Sequence, residues 1–282
     1  MDIDTLILSG GSIKGVSFLG SINYLIENDY IDKKFKNIRK IICVSASFLF
    51  VLILILLEYD FNLIEQKIYM FNFEYMLDIN DVSLKNLVND YGFINYNRTH
   101  IFIKEIIKER YGVEQISLLK LYKMSGIHIV VKVVNVSEQK VEYIDHINNP
   151  KINILKLIQM TTCIPLLLKP TKYKGYLYLD GGLSGNCPIE VNDSNNYLCI
   201  EIKSVASSGK EINNVLDYIV NGWDMYSPDI LIRKYDIHNI KIDLSELCID
   251  VHNFKMDNSL KKNILDKGYE ETKRHFAYYL QQ

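Results

Sequence analysis

The chain has 282 residues, of which 48% are hydrophobic, enough for one large domain or two small ones with a sizeable core. A formal net charge of -2 leaves no general footprint for nucleic acid. The start, "MDIDTLILSGG", has neither a basic n-region nor a long apolar h-region, so it does not read as a signal peptide. Cys43, Cys163, Cys187, Cys199 and Cys248 are scattered and show no zinc spacing, which reads as reduced, buried thiols in an intracellular setting. The wealth of Ile, Asn, Lys and Tyr reflects AT-rich codons and so an AT-rich genome, that of a low-GC microbe or a large virus.

Residues 5–9 read as a short buried strand. The segment "GGSIKG" at 10–15 then leads into a helix on which Val16, Leu19, Ile22, Tyr24 and Ile26 recur at roughly helical spacing. A second buried strand follows at 39–44, completing a βαβ unit with parallel strands and a right-handed crossover. The run "IICVSASFLFVLILILL", Ile41 to Leu57, lies near the lower length limit for a membrane span. Ser45 and Ser47 near its start and its β-branched lead-in favour another reading. The strand turns at Ser45 into a helix that is apolar all round and belongs at the centre of a core.

Residues 60–125 are mostly helical in pattern and form a variable cap region. Their aromatic stretch "IYMFNFEYML" is expected in core helices, with a mobile, membrane-touching cap as the alternative. Further strands are expected at Ile127–Val136, in "GYLYLDGG" and at 197–203. A closing helix, "DNSLKKNILDKGYEETKRHFAYYL", has Asn258 or Ser259 as its N-cap. No repeat, low-complexity tract or Pro/Gly linker interrupts the chain, so one α/β domain over residues 1–282 is expected.

Three segments carry the chemistry. In "GGSIKG" the glycines turn backbone N–H groups outward at a helix N-terminus, a geometry that suits a phosphate or a developing oxyanion. The spacing matches neither the P-loop nor the dinucleotide fingerprint; a tight packing turn is the alternative. In "CVSAS" at 43–47 a serine stands where a strand turns sharply into a helix, as in a nucleophile elbow, or simply caps the helix. In "YLDGGLSGNCP" at 178–188 an apolar strand ends in Asp180. A carboxylate at the end of a parallel strand lies on the sheet edge that binds ligands; an ordinary Asp-Gly turn is the alternative.

The order of glycine loop, serine elbow and Asp-Gly-Gly resembles the patatin-like phospholipase family. So do "LSGGSIKGVSFLGSI", "IRKIICVSASFL", "ILKLIQMTTCIPLLLKP", "YLDGGLSGNCPI" and "FKMDNSLKKNILDKGYEET", which together span nearly the whole chain. The resemblance implies a three-layer α/β/α fold around a mostly parallel central sheet. It implies a lipid acyl hydrolase of phospholipase A type with a Ser-Asp dyad. Ser45 would attack the ester carbonyl and form an acyl-enzyme. Asp180, in the motif with Gly181 and Gly182, would accept its proton and then activate water.

Gly10, Gly11 and Ser12 would form the oxyanion hole. Ile13, Lys14 and Gly15 would complete the loop, with Lys14 either positioning it or solvated at the surface. Cys43, Val44, Ala46 and Ser47 would shape the elbow. No metal or cofactor is implied. The implied partners are a phospholipid or other acyl-lipid, the membrane surface that presents it to a peripheral protein, and a protein activator. A free aspartate, with a pKa of about 3.9, is a poor base for a hydroxyl, so the dyad requires a dry site that raises it.

The family pattern has glycine where this chain has Ser12, Cys43 and Ser47. That opens a second reading, a catalytically weak relative that binds lipid or a partner protein in the same cleft. A third is a Ser-His-Asp hydrolase completed by His238, His252 or His275.

Overall fold

The computed structural model describes residues 2–73, 84–94, 97–203, 236–247 and 256–279. The chain opens with β1 (Thr5–Leu8), a 3-10 turn at Ser12–Gly15 and α1 (Val16–Glu27). The strand β2 (Lys40–Val44) runs into α2 (Ala46–Leu56), followed by α3 (Phe61–Met70), α4 (Leu84–Asp90), β3 (Gly92–Ile94), α5 (Asn97–Tyr111) and α6 (Leu118–Ser125). The hairpin β4 (His128–Asn135) and β5 (Lys140–Ile144) comes next, then α7 (Ile154–Thr161) and the short strands β6 (Leu166–Leu168) and β7 (Thr171–Tyr173). The chain closes with β8 (Tyr176–Asp180), β9 (Tyr197–Lys203), β10 (Asn239–Asp243) and α8 (Asn258–Tyr279). His252 and Cys248 lie outside the described residues, as does the part of the aromatic stretch beyond Phe73.

The fold is α/β. An eight-stranded sheet runs in the order β10-β9-β1-β2-β4-β8-β7, with β5 also on β4. The first five strands are parallel neighbours, as the βαβ pattern predicts. One face of the sheet (Leu6, Leu8, Ile41, Cys43, Val131, Val133) packs into the main core with α1, α2, α5 and α7. Residues one position along (Ile7, Ile42, Val130, Cys199) point to the other face. Among the described residues Cys187 and Ile189 cover them there.

The alternation follows from the two-residue period of a strand. The helix α2, apolar on every side, is buried from Ser47 onward and contributes about 1.5–3 kcal/mol for each large side chain so buried. No helix among the described residues is long and apolar enough to cross a membrane. Ile64, Ile68, Ile103, Ile106 and Ile107 join the same core, so α3 and α5 each turn a face into it, while Met70 and Ile101 on the same helices are exposed. α1 and α8 pack closely because each brings a glycine to the contact. A Cβ on Gly20 would lie 1.9 Å from Leu265 O, and one on Gly268 would lie 2.0 Å from Ser17 O.

Two expectations are corrected. The cap of the closing helix is Asp257, whose Oδ1 accepts the Leu260 N–H at 2.7 Å, one residue before the expected Asn258 or Ser259. The strand ending in Asp180 is antiparallel to β4, not parallel. Apolar content identifies a strand but carries no direction.

That antiparallel strand builds the site. On one edge β4 pairs with β5 over Val131–Asn135. Its other edge is shared in series, by β2 up to Lys132 opposite Val44 and by β8 from Val133 opposite Asp180. Two strands of opposite polarity therefore meet end to end along β4. The residue after Val44 is Ser45, and the last residue of β8 is Asp180.

Candidate active site

Ser45 occupies the turn between β2 and α2 with φ 58° and ψ -135°. A non-glycine residue in such a conformation costs about 1–3 kcal/mol and persists only where its surroundings hold it. Four hydroxyl-mediated bonds do so. The Ser45 N–H donates to Thr161 Oγ1 at 2.8 Å, and the Thr161 hydroxyl donates to Lys132 O at 2.9 Å. The Val44 N–H donates to Ser47 Oγ at 2.9 Å, and that hydroxyl donates to Val44 O at 2.6 Å. The turn leaves Ser45 half-buried at the N-terminus of α2, where the helix end favours negative charge.

The Ser45 hydroxyl donates to Asp180 Oδ2 at 2.6 Å. The other oxygen, Oδ1, accepts the Gly182 N–H at 2.7 Å, so the carboxylate is held from both sides. Asp180 is only 3% exposed. Burial pushes its carboxyl from 3.8 up to about 7, against the opposing pull of the bonds from Ser45 and Gly182. A carboxylate with that affinity for protons, hydrogen-bonded directly to a serine on a strained turn, is equipped to take the serine's proton. The chain can leave Asp180 at this point because residue 181 is glycine: a Cβ there would lie 2.3 Å from Lys132 O.

The glycine loop lies against this pair, since a Cβ added to Gly10 would sit 3.3 Å from Ser45 Cβ. Asn186 laces the loop to the aspartate segment. The Gly10 N–H donates to Asn186 O at 2.9 Å, and Asn186 Nδ2 donates to Gly10 O at 3.1 Å. Of the three N–H groups expected to face an oxyanion, that of Gly10 is therefore already taken. Gly11 and Ser12 remain partly exposed beside it.

Ser12 adopts φ 51°, the left-handed conformation for which glycine is usually required. Ile13, Lys14 and Gly15 are buried in the following turn, and a Cβ on Gly15 would strike the Phe50 ring. Lys14 is 6% exposed, so the solvated reading of that residue is overturned. Its N–H donates to Gly11 O at 3.0 Å and its carbonyl accepts the Ser17 hydroxyl at 2.8 Å.

The other two residues in glycine positions are equally built in. Ser47 closes the elbow from inside the helix. Cys43 is buried with Sγ 3.7 Å from Val130 O, and burial pushes its thiol well up. His238 and His275 each spend a ring nitrogen on a backbone carbonyl, of Tyr197 and Ile237, at 2.9 Å. Neither is bonded to Ser45 or Asp180, whose hydroxyl and carboxylate meet with no imidazole between them. Among the described residues no group of three or more His, Cys, Asp or Glu side chains could hold a metal.

Sequence reasoning did not single out Thr161, Asn186 or Lys132. The signal for Lys132 was there, a lone lysine inside the apolar run "IHIVVKVVNV". Thr161 and Asn186 stood inside quoted motifs but had no role until the fold brought them to Ser45 and Gly10.

Comparison with known proteins places these features among relatives. Residues 6–193 match the family model "Patatin-like phospholipase", an interval that contains the glycine loop, Ser45 and Asp180. The uncharacterised protein R571 of Acanthamoeba polyphaga mimivirus is 24% identical over 285 residues, 96% of this chain and 93% of that protein. The "Probable lipid hydrolase 463L" of Invertebrate iridescent virus 6 is 24% identical over 276 residues, 95% of this chain and 87% of the viral protein. Both are viral proteins, in line with the AT-rich codon usage. VipD from Legionella pneumophila superposes with a TM-score of 0.57 at 16% identity, over 99% of this chain and 67% of VipD. The type III effector ExoU superposes with a TM-score of 0.53 at 12% identity, over 99% of this chain, which spans about half of ExoU's length, 53%. These two likenesses concern the fold.

Proposed function

Because the chain belongs to the patatin-like phospholipase family, we propose that it hydrolyses acyl-lipid esters, phospholipids first among them, with Ser45 as nucleophile and Asp180 as its general base. The observation that carries the reading is the 2.6 Å hydrogen bond from Ser45 Oγ to the buried Asp180 carboxylate. Support for a lipid substrate comes from the iridescent virus relative, which is named a probable lipid hydrolase.

The proposed reaction runs as a two-step acyl transfer. Ser45 Oγ forms a bond to the ester carbonyl carbon while its proton passes to Asp180 Oδ2. The carbonyl oxygen becomes an oxyanion beside the Gly11 and Ser12 N–H groups and the α2 N-terminus. Collapse of the tetrahedral species breaks the carbon–oxygen bond of the leaving alcohol, which takes the proton from Asp180. Water then attacks the acyl carbon, giving one proton to Asp180; the bond from Ser45 Oγ to the acyl carbon breaks, the fatty acid leaves, and Asp180 returns the proton to Ser45 Oγ.

The membrane surface is where a peripheral enzyme of this kind meets its substrate. A protein partner belongs to the proposal as well; ExoU is known in a heterodimeric complex with SpcU. The second reading, a binding relative with weak catalysis, draws on Ser12 at φ 51°, where the oxyanion loop carries a side chain.

The experiment is fatty-acid release from mixed phospholipid vesicles by wild type, Ser45→Ala and Asp180→Ala. Release by wild type that both substitutions abolish bears the reading out. No release from folded wild type would point to a required activator or to the binding relative. Loss of activity on replacing His238, His252 or His275 would replace the dyad by a triad.

A further inference from the structure

Lys132 sits in the middle of β4 with its side chain wholly buried. Its ammonium donates to Ser184 O at 3.0 Å, to Gly185 O at 3.0 Å and to Glu190 Oε1 at 2.6 Å. Three acceptors match the three protons of an ammonium. Glu190, whose side chain is 40% exposed, also accepts the Tyr143 hydroxyl. A buried charge is costly unless every proton is bonded, and a hydrophobic residue would fill this strand position at no such cost. The sheet around Lys132 supplies nothing that calls for a charge, but the site does.

The residue reaches both halves of the proposed dyad through intermediaries. Its carbonyl accepts the Thr161 hydroxyl, whose oxygen in turn holds the Ser45 N–H. Its ammonium grips the last two carbonyls of the turn that begins at Asp180. In the ladder it stands opposite Val44, and the next residue stands opposite Asp180. The Gly182 N–H that steadies Asp180 Oδ1 lies inside the gripped turn. Slack in that turn would free the carboxylate to swing away from Ser45.

Resting on the dyad reading above, we propose that Lys132 is a positioning residue for hydrolysis: its ammonium, paired with Glu190, fixes the 181–185 turn and so keeps Asp180 within reach of the Ser45 hydroxyl. Glu190 keeps the ammonium aimed at the two carbonyls by bonding its third proton.

The test compares wild type, Lys132→Met, Glu190→Met and Ser45→Ala. It uses a soluble short-chain p-nitrophenyl ester, a fluorophosphonate that labels an active serine, and amide hydrogen exchange across residues 181–185. We expect Lys132→Met and Glu190→Met to lower kcat by about tenfold or more, since misplacement of a catalytic group by ~1 Å can cost a hundredfold, with KM nearly unchanged. Exchange in the turn should quicken, and the acid limb of the rate profile should shift below the wild-type limb as Asp180 gains water.

Should Lys132→Met fail to fold, Glu190→Met decides, because it removes the third acceptor from a half-exposed position and leaves the lysine in place. Wild-type kcat and an unmoved limb in Glu190→Met, whatever its thermal stability, would reduce Lys132 to a structural residue and overturn the proposal. Wild type that the fluorophosphonate does not label would overturn the dyad reading, and this inference with it.

Discussion

The burial of Asp180 makes a prediction about stability that does not depend on turnover. Burial pushes the carboxyl from 3.8 up to about 7. Below pH 4 the group is protonated in both folded and unfolded chains, and its burial carries no ionisation penalty. Between pH 4 and 7 the unfolded chain releases the proton while the folded one retains it, so stability falls as pH rises. Above pH 7 both forms are ionised and the full penalty stands. A shift of roughly 3 units corresponds to about 4 kcal/mol, an order-of-magnitude figure.

Asp180→Asn keeps the size and one acceptor but cannot ionise. The substituted protein should be more stable than wild type at pH 8, by up to about 4 kcal/mol less the 1–2 kcal/mol lost through an imperfect amide hydrogen bond. The advantage should shrink steadily toward pH 4, where the substitution becomes neutral or mildly harmful. Urea unfolding of both proteins at pH 4, 6 and 8 measures this. A difference that does not vary with pH, or that is larger at pH 4 than at pH 8, would refute the claim that the folded protein holds a desolvated carboxyl here.

Three further outcomes are expected. Acylation, measured as the burst from a p-nitrophenyl ester, should rise with pH and level off above about pH 7 as Asp180 loses its proton; a profile flat from pH 5 to 8 would remove it as the base. Thr161→Val preserves shape but strips the partner from the Ser45 N–H and from Lys132 O, and should cost about 2 kcal/mol and slow acylation, whereas Thr161→Ser should keep both; equal behaviour of the two would contradict this. Gly181→Ala drives a Cβ to 2.3 Å from the backbone oxygen of Lys132, while the Cβ of Gly11→Ala meets only the end of the Ile202 side chain at 2.5 Å. Thermal unfolding should show the first destabilised by about 1–3 kcal/mol or more and the second much less, and equal losses would count against the packing described.

Much of this was legible because buried elements announce themselves. Five strands, at 5–8, 40–44, 128–135, 176–180 and 197–203, lie in apolar runs, and α2 could only be a central helix once its strand ended at Val44. The strand Lys140–Ile144 was not read, because it is an edge element whose first four residues are exposed or half-buried. The three-residue strands at 92–94, 166–168 and 171–173 are too short to carry a period.

Within the site, Ser45 and Asp180 were legible from motif order. Their mutual geometry was not, since it depends on β8 running against β4, a matter of chain direction. The Asn186 contact that occupies the Gly10 N–H spans 176 positions, and no local pattern reports such a pairing. Lys132 was visible as a misfit charge, but its partners at 184, 185 and 190 come from a different part of the chain.

The end-to-end meeting of β2 and β8 along β4 has a consequence for how the molecule comes into being. Ser45 and Asp180 are 135 positions apart, so their bond closes a very long loop and forms late relative to local structure. On the ribosome, a nascent chain that has emerged through the elbow and its buried helix still lacks the proposed base for the serine. The elbow's own latch through Ser47 is local and can form early. The support through Thr161 and Lys132 waits for the middle of the chain, and the carboxylate arrives only when β8 docks. Under the proposed mechanism, reactivity would therefore be acquired in a single late step, together with completion of the sheet, and a prematurely terminated or misfolded chain would carry the serine without the means to use it.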